Sequence, residues 1–414
     1  MKVFIRWFWV LLFFSLMSAA WAQNQEGRPG RHFSPWHRMA SQKHLMSSIT
    51  TRQGFNVQAN PDGAAKVYDL GTYPGGSWAR NGGINNFGVA VAHGDVDSSG
   101  DNHLLKIGLF DLRAPQWSDL GSLGAYWGWF TWPDIADTGV ITSRATSSDG
   151  HVHAFAWTVG SGKVDLGTLA DLDSEYASYL DSEPCHVNKL GTMIVGDSWI
   201  ASDTNPCLPV VWTRDWPHGS WRIHKLDTKG KANALAFGVN DFGQVSGWAW
   251  DDDGICIALL WNPNPGGGGW KTIQLPGSSE YPDVALAGAM NESGEIAGAV
   301  YTLDWVNGYA SVYQPVDPER TTYKLTLLPN PWNLPQGDTA EGINDLGDLV
   351  GASWDKDYNM QAVRWSTKDL TSVQLLGFPG DGSLAYSVNN RGVALGFYFG
   401  GKCPGECLAA AKLK

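Results

Sequence analysis

A five-residue turn returns seven times along this chain, and no other feature restricts its fold as tightly. It reads Ile84-Asn85-Asn86-Phe87-Gly88, Ile135-Ala136-Asp137-Thr138-Gly139 and Val187-Asn188-Lys189-Leu190-Gly191. It continues as Val239-Asn240-Asp241-Phe242-Gly243, Met290-Asn291-Glu292-Ser293-Gly294, Ile343-Asn344-Asp345-Leu346-Gly347 and Val388-Asn389-Asn390-Arg391-Gly392. The closing glycines are spaced by 51, 52, 52, 51, 53 and 45 residues. A fixed period of this size marks a repeat architecture before any single motif is weighed. The turn itself has hairpin chemistry: an Asn side chain that can bond the turn backbone, then a Gly that supplies positive φ. A type I turn closed by a glycine bulge fits both residues.

Short apolar runs follow each turn, as in Gln244-Val245-Ser246-Gly247, and the closing Gly of such a run implies close backbone approach. Each period holds four strand-like segments. In the clearest copy they are 234–240, 244–249, 256–261 and 270–275. Four short antiparallel strands in a period of about 50 residues specify a β-propeller blade. The chain ends add a topological constraint. Lys66-Val67-Tyr68-Asp69-Leu70-Gly71 has the pattern of a fourth strand, and 407–412 that of a third. Joining them removes two open sheet edges. The sequence therefore predicts an all-β fold: a seven-bladed β-propeller of four-stranded antiparallel blades over 66–412, closed by an N-terminal strand joining the C-terminal blade. With 50 Gly and 43% apolar residues, composition agrees with an all-β class that has a large core.

One copy carries His153-Ala154-Phe155 ahead of Ala156-Trp157, followed by Asp165-Leu166-Gly167-Thr168-Leu169. With the Ile-Asn-x-x-Gly turns, these segments resemble the bacterial extracellular HAF repeat, named for His-Ala-Phe. The resemblance spans about 66–412, although Leu104 to Phe110 stand where His-Ala-Phe falls in the first copy, and Ala136 replaces Asn in the second. It implies export and a repeat architecture, and it brings no catalytic residues.

Residues 1–22 read as a secretory signal peptide. Lys2 and Arg6 precede an apolar run from Trp7 to Met17, and Ala20-Trp21-Ala22 supplies small residues for cleavage. The run is too short for a stable transmembrane helix, and no later stretch reads as a membrane span. Residues 23–65 lack the repeat and read as a flexible polar leader. The formal charge of −12 speaks against a nucleic-acid partner. The expected location is extracellular or periplasmic, and the expected state is a monomer. Five cysteines suit an oxidising compartment. Cys403–Cys407 and Cys185–Cys207 are the candidate disulfides, with Cys256 a buried apolar residue without a partner.

Strand alternation puts the 2–3 and 4–1 loops on one face of the disc, opposite the repeated turns. That face gathers tryptophans. Trp199, Trp250 and Trp354 recur three residues after the Gly of strand two, where Tyr301 and Phe399 also stand. Trp78, Trp127, Trp129 and Trp332 fall in 4–1 loops, and Trp305 in a 2–3 loop. Recurring aromatics suit packing between blades, whereas those that occur once suit a glycan or protein ligand. Asp95, Asp97, Ser99 and Asp101 have the spacing of half a calcium loop, but Lys106 stands where the bidentate Glu belongs. His151 and His153 share a strand face and read as structural. Nucleophile elbows, zinc-protease helices and phosphate loops are absent from the sequence. The expected function is a binding or interaction module without a cofactor. The alternative is an extracellular polysaccharide hydrolase or lyase at the central channel, and a purely structural envelope role is a third possibility.

Overall fold

A computed structural model describes residues 65–80, 82–97, 101–124, 133–201, 206–215, 219–403 and 405–414. The signal peptide and nearly all of the polar leader lie outside these residues. So do Ser99, Trp127 and Trp129. The described chain is all-β, with 28 strands and two single-turn 3-10 helices, Leu169–Asp171 and Ser174–Tyr176. Among the described residues, no helix is long and apolar enough to cross a membrane.

The strands pair into four-stranded antiparallel units in a propeller arrangement. Five sheets are separate four-stranded units, where the sequence predicts seven. The remaining eight strands form one sheet. Within it, Asn233–Val239, Val245–Trp250, Cys256–Pro263 and Trp270–Gln274 make one antiparallel ladder, and the four strands from Val284–Met290 to Tyr323–Leu327 make another. A single parallel bridge, Cys256 with Val284, joins the two, supported by the Cys256 N–H donating to the Asp283 carbonyl at 2.9 Å. The expected strand at the N-terminus is present: Lys66–Gly71 pairs with Glu406–Lys412, Val67 opposite Ala411. Residues 66 and 412 therefore meet in one sheet.

The turn chemistry explains the regularity. Gly243 N–H bonds the Asn240 carbonyl at 3.1 Å, and Gln244 N–H bonds the Asn240 Oδ1 at 3.1 Å. Gly243 has φ +79°, a left-handed backbone that costs other residues roughly 1–2 kcal/mol. Four residues on, Gly247 faces the Leu235 carbonyl so closely that an added Cβ would sit 2.0 Å from its oxygen. Strand two can approach the inner strand there only without a side chain.

The seven turns also bond to one another in a closed circle. Asn85 Nδ2 donates to the Ala136 carbonyl at 3.2 Å, and Asp137 N–H to the Lys189 carbonyl at 3.1 Å. Leu190 N–H donates to Asp241 Oδ1 at 3.0 Å, and Asn240 Nδ2 to the Asn291 carbonyl at 3.3 Å. Asn291 and Asn344 repeat the pattern at 3.0 Å each, and Asn389 returns to Asn85 at 2.9 Å.

Apolar faces of adjacent units supply the core. Trp212, Trp261 and Trp365, each on a third strand, are fully buried. Trp261 and Trp365 donate their indole N–H to the carbonyls of Asp227 and Pro329 at 2.8 and 2.7 Å. Those two rings keep a partner for the polar tip on burial, whereas the Trp212 indole N–H is buried without one.

Candidate functional site

Strand pairing puts the recurring aromatics in one row. Trp199 lies opposite Asp181 and Cys207, Trp250 opposite Asn233 and Cys256, and Phe399 opposite Gly382 and Glu406. Tyr301 and Trp354 occupy the same place, opposite Gly308 and Met360. All five end a second strand, on the face away from the repeated turns. Their environments differ. Trp199, Trp250 and Trp354 are half-buried, and Phe399 is exposed. Tyr301 is fully buried because its hydroxyl donates to the Asp338 carbonyl at 3.0 Å.

The loop tryptophans divide too. Trp78 is half-buried, its N–H bonded to Asp95 Oδ1 at 3.0 Å, with the Arg80 guanidinium 5.6 Å from its ring centre. Trp332 is half-buried, its N–H held by Asn330 Oδ1 at 2.7 Å. Trp305 departs from the expectation of a displayed loop residue. It is only 4% exposed and packs on Tyr301 with ring centres 5.2 Å apart. The loop folds back because Trp305 N–H bonds the Thr302 carbonyl and Trp305 adopts φ 62°.

Buried polar groups fix these loops, and the sequence reading missed them. The Asn330 amide donates to both oxygens of Asp338 at 2.9 and 2.8 Å, and Trp354 N–H donates to Asp338 Oδ1 at 3.2 Å. One buried carboxyl thus anchors both Trp332 and Trp354. Burial pushes its pKa up to about 8, against the hydrogen bonds from Asn330 and Trp354 that lower it.

Asp95 has a similar task. It is fully buried, and its carboxylate accepts from Ser77 N–H, Ser77 hydroxyl and Trp78 N–H. These bonds give Asp95 a structural task in holding the start of the first blade.

Two positions inside the aromatic row, the repeat breaks. Strand two there carries Trp248, Ala299, Ala352 and Phe397 in four copies, but His93, Arg144 and Asp197 in the first three. Their partners are polar as well. His93 Nε2 lies 2.8 Å from Ser143 Oγ, Arg144 pairs with Glu183, and Arg80 pairs with Glu406 at 3.0 Å. Asp197 lies directly opposite Glu183, and its buried Oδ1 has no hydrogen-bond partner. Burial and the neighbouring Glu183 hold the Asp197 pKa well above the carboxylate range, opposed by Arg144. Burial, Arg144 and Arg80 push His93 down to about 3, so its ring is neutral. The result is two ion pairs, a neutral imidazole and a buried carboxyl with an unpartnered oxygen: a set of polar groups. An alignment of strand two alone would have exposed it.

Residues of the inner strands meet at a small cavity. Register shifts in the inner strands turn Cys185, Phe237, Glu341 and Tyr386 toward a cavity of ≈ 20 Å³. That is room for about one water molecule, not a sugar. His186 lies against Phe237, ring centres 4.7 Å apart. Burial raises Glu341 to about 7, against a hydrogen bond from Thr339.

Of the candidate disulfides, Cys403–Cys407 is formed. Cys185 and Cys207 are separate buried thiols, which corrects the expectation. They sit on first and third strands with Met193–Trp199 between them. Two strand spacings, about 9.6 Å, exceed the reach of a disulfide. Cys256 is a buried free thiol as expected. His153 bonds Asp165 and the Leu180 carbonyl at 2.7 and 3.2 Å, and His151 lies 3.3 Å from Asp181, so both rings have structural partners. Among the described residues, no three His, Cys, Asp or Glu side chains gather as a metal site would require.

Neither a protein-family model nor a curated protein matches the sequence. Solved structures with a similar chain path include TolB from Acinetobacter baumannii, at 12% identity and TM-score 0.40, covering 66% of this chain and 61% of that one. A prolyl endopeptidase is similar at 11% identity and TM-score 0.46, over 82% of this chain and 47% of its own. This chain thus spans less than two thirds of either. A fungal lectin from Aleuria aurantia, described as a six-bladed β-propeller with a fucose recognition mode, is similar at 13% identity and TM-score 0.33, over 76% and 97%.

Proposed function

We propose that the protein is an exported binding module, a seven-bladed β-propeller whose eight-stranded sheet counts as two blades. Its ligand is a glycan or a protein, taken by a single copy of the chain on the face of the 2–3 and 4–1 loops. The HAF-repeat kinship belongs to the same proposal, and no cofactor enters it. The observation that carries the reading is the row of half-buried Trp199, Trp250 and Trp354, flanked by Trp78 and Trp332. Rings with one face packed and one face wet suit sugar faces or an apolar peptide, and their backbones are tied down in advance. The polar break at His93, Arg144 and Asp197 lies just beneath and distinguishes one side of the face from the other.

Glycan-array profiling followed by calorimetry tests the proposal. Trp199→Ala and Trp354→Ala are expected to lose only about 1 kcal/mol of stability but at least tenfold in affinity, on the order of 1.4 kcal/mol. Unchanged affinity in both variants would count decisively against this face.

A second reading, hydrolysis or lysis of an extracellular glycan, is favoured by one pair. Asp197 and Glu183 are directly opposed, the Asp197 carboxyl pushed up by burial and by Glu183, with Cβ atoms roughly 5 Å apart in such a pairing. Glycosidases divide acid and base between two carboxyls in this way. Polysaccharide turnover abolished by both Asp197→Asn and Glu183→Gln would promote it over binding alone.

A further inference from the structure

The face that carries the repeated turns is expected to be plain, and it is not. The fourth residue of each turn points away from any core, where Asn, Asp, Ser or Gly would serve. Four turns instead place Phe87, Leu190, Phe242 and Leu346 there, 55%, 47%, 62% and 51% exposed. The 3–4 connections reach the same face and expose Phe110, Val159 and Val316 at 72%, 85% and 61%. These seven are the most exposed large apolar side chains among the described residues. Folding does not account for their gathering on one side, where Thr138, Ser293 and Arg391 fill the fourth place of the other three turns, and apolar side chains collected on one face offer contacts to a partner.

Inside the apolar ring lies a circle of acids. The third residues of the turns are Asn86, Asp137, Lys189, Asp241, Glu292, Asp345 and Asn390. Each carboxylate accepts from the neighbouring turn: Asp137 from Asn86 N–H at 2.8 Å, Asp241 from Leu190 N–H, Glu292 from Asp241 N–H and Asp345 from Glu292 N–H, the last three at 3.0 Å. Lys189 reaches Asp345 and lies 3.4 Å from Glu292. Within the circle one ammonium stands against four carboxylates, while the cations Arg391, fourth in the last turn, and Arg320, over Phe242, stand around it. An open cleft of ≈ 390 Å³ continues outward from it, lined in part by Asp345, Leu346, Glu295 and Lys368. The ring also displays a way to hold a cation: Phe242 carries the Arg320 guanidinium 4.8 Å from its centre.

From an acidic centre within an apolar rim, we propose that this second face docks a protein partner that presents a lysine or arginine flanked by apolar side chains. Charge complementarity selects that occupant. A second copy meeting face to face would oppose two acidic circles, and an anionic membrane would be repelled.

A phage-displayed library of random 12-residue peptides, panned on the full chain, tests this. Enriched sequences are expected to carry Lys or Arg beside aromatic or aliphatic residues. Their synthetic peptides should bind at least tenfold more weakly to the Phe87→Ser, Phe242→Ser, Leu346→Ser triple variant. They should also bind several-fold more weakly to Glu292→Gln, which keeps an acceptor for Asp241 N–H and guards against misfolding of the triple variant. Trp199→Ala, on the opposite face, should bind them normally. No enrichment, enrichment of acidic peptides, or full binding to both face variants overturns the proposal. So does a concentration-dependent doubling of mass in light scattering, or binding to phosphatidylglycerol vesicles, that the triple variant abolishes.

Discussion

Asn389 in the last turn donates its Nδ2 proton to the carbonyl of Asn85 in the first, at 2.9 Å and 304 positions away. The same side chain accepts from Arg391 and Val393 N–H through Oδ1, at 3.1 and 3.0 Å, within its own turn. In five of the seven turns one residue type therefore closes the hairpin and fastens it to the next, which is why Asn recurs where any turn former would satisfy the hairpin alone.

Asn389→Ala is expected to destabilise the protein by about 2 kcal/mol, since buried N–H groups and the Asn85 carbonyl lose partners together. The second turn offers the converse experiment. Ala136 is buried there and cannot make these bonds. Ala136→Asn should stabilise by about 1 kcal/mol, the ordinary value of a gained intramolecular hydrogen bond. Urea denaturation of both variants, with unchanged slopes, checks the pair.

Stability should fall as pH rises from 6.5 to 8. A carboxyl with a raised native pKa holds its proton more tightly when folded. Its contribution is full below the unfolded value and is lost by the time the folded value is passed. Burial raises Asp338 from 3.8 to about 8 and Glu341 from 4.5 to about 7. His153, raised by its hydrogen bond to Asp165, acts in the same direction. His93, pushed down to about 3, and His224, also lowered by burial, act oppositely but only below 6.5, where the unfolded rings gain protons. Asp338 alone is worth roughly 2 kcal/mol across that window. Asp338→Asn should flatten much of the slope in denaturation midpoints measured at pH 6.5, 7, 7.5 and 8.

Local chemistry was legible in the sequence, and register was not. The turns can be read because Asn240, Gly243 and Gln244 satisfy one another within four residues. The closing strand could be placed because Lys66–Gly71 carries a fourth-strand pattern that needs a partner. Cys185 and Glu341, by contrast, face the channel only because their strands slip by one residue against strand two, and nothing local announces the slip. Tyr301 shares a row with Trp199 yet is buried, since its hydroxyl finds a backbone carbonyl on the next unit. Sheet separation failed for a comparable reason: one bridge at Cys256 fuses two ladders that the sequence pattern keeps apart.

Non-reducing peptide mapping should recover Cys403 linked to Cys407 and leave three free thiols. Cys185, Cys207 and Cys256 are buried, and burial pushes Cys256 up to about 12 and the other two well above the ordinary thiol value. Because the thiolate is the reactive form, all three should resist Ellman's reagent in the native protein at pH 8 and react on unfolding. A Cys185–Cys207 peptide in the map would contradict the strand order that keeps them apart.

The two kinds of tryptophan on the loop face should separate cleanly by mutation. Trp305 is enclosed against Tyr301, so Trp305→Ala leaves a cavity and is expected to cost about 3 kcal/mol or more. Ligand affinity, measured well below the lowered melting point, should change less than twofold. Trp199 has the opposite profile: its side chain is only partly buried, so Trp199→Ala should cost about 1 kcal/mol of stability while removing much of the binding. Paired thermal melts and calorimetric titrations read both quantities on each variant. Equal losses in affinity for the two would mean that the row of half-exposed rings is not what the ligand touches.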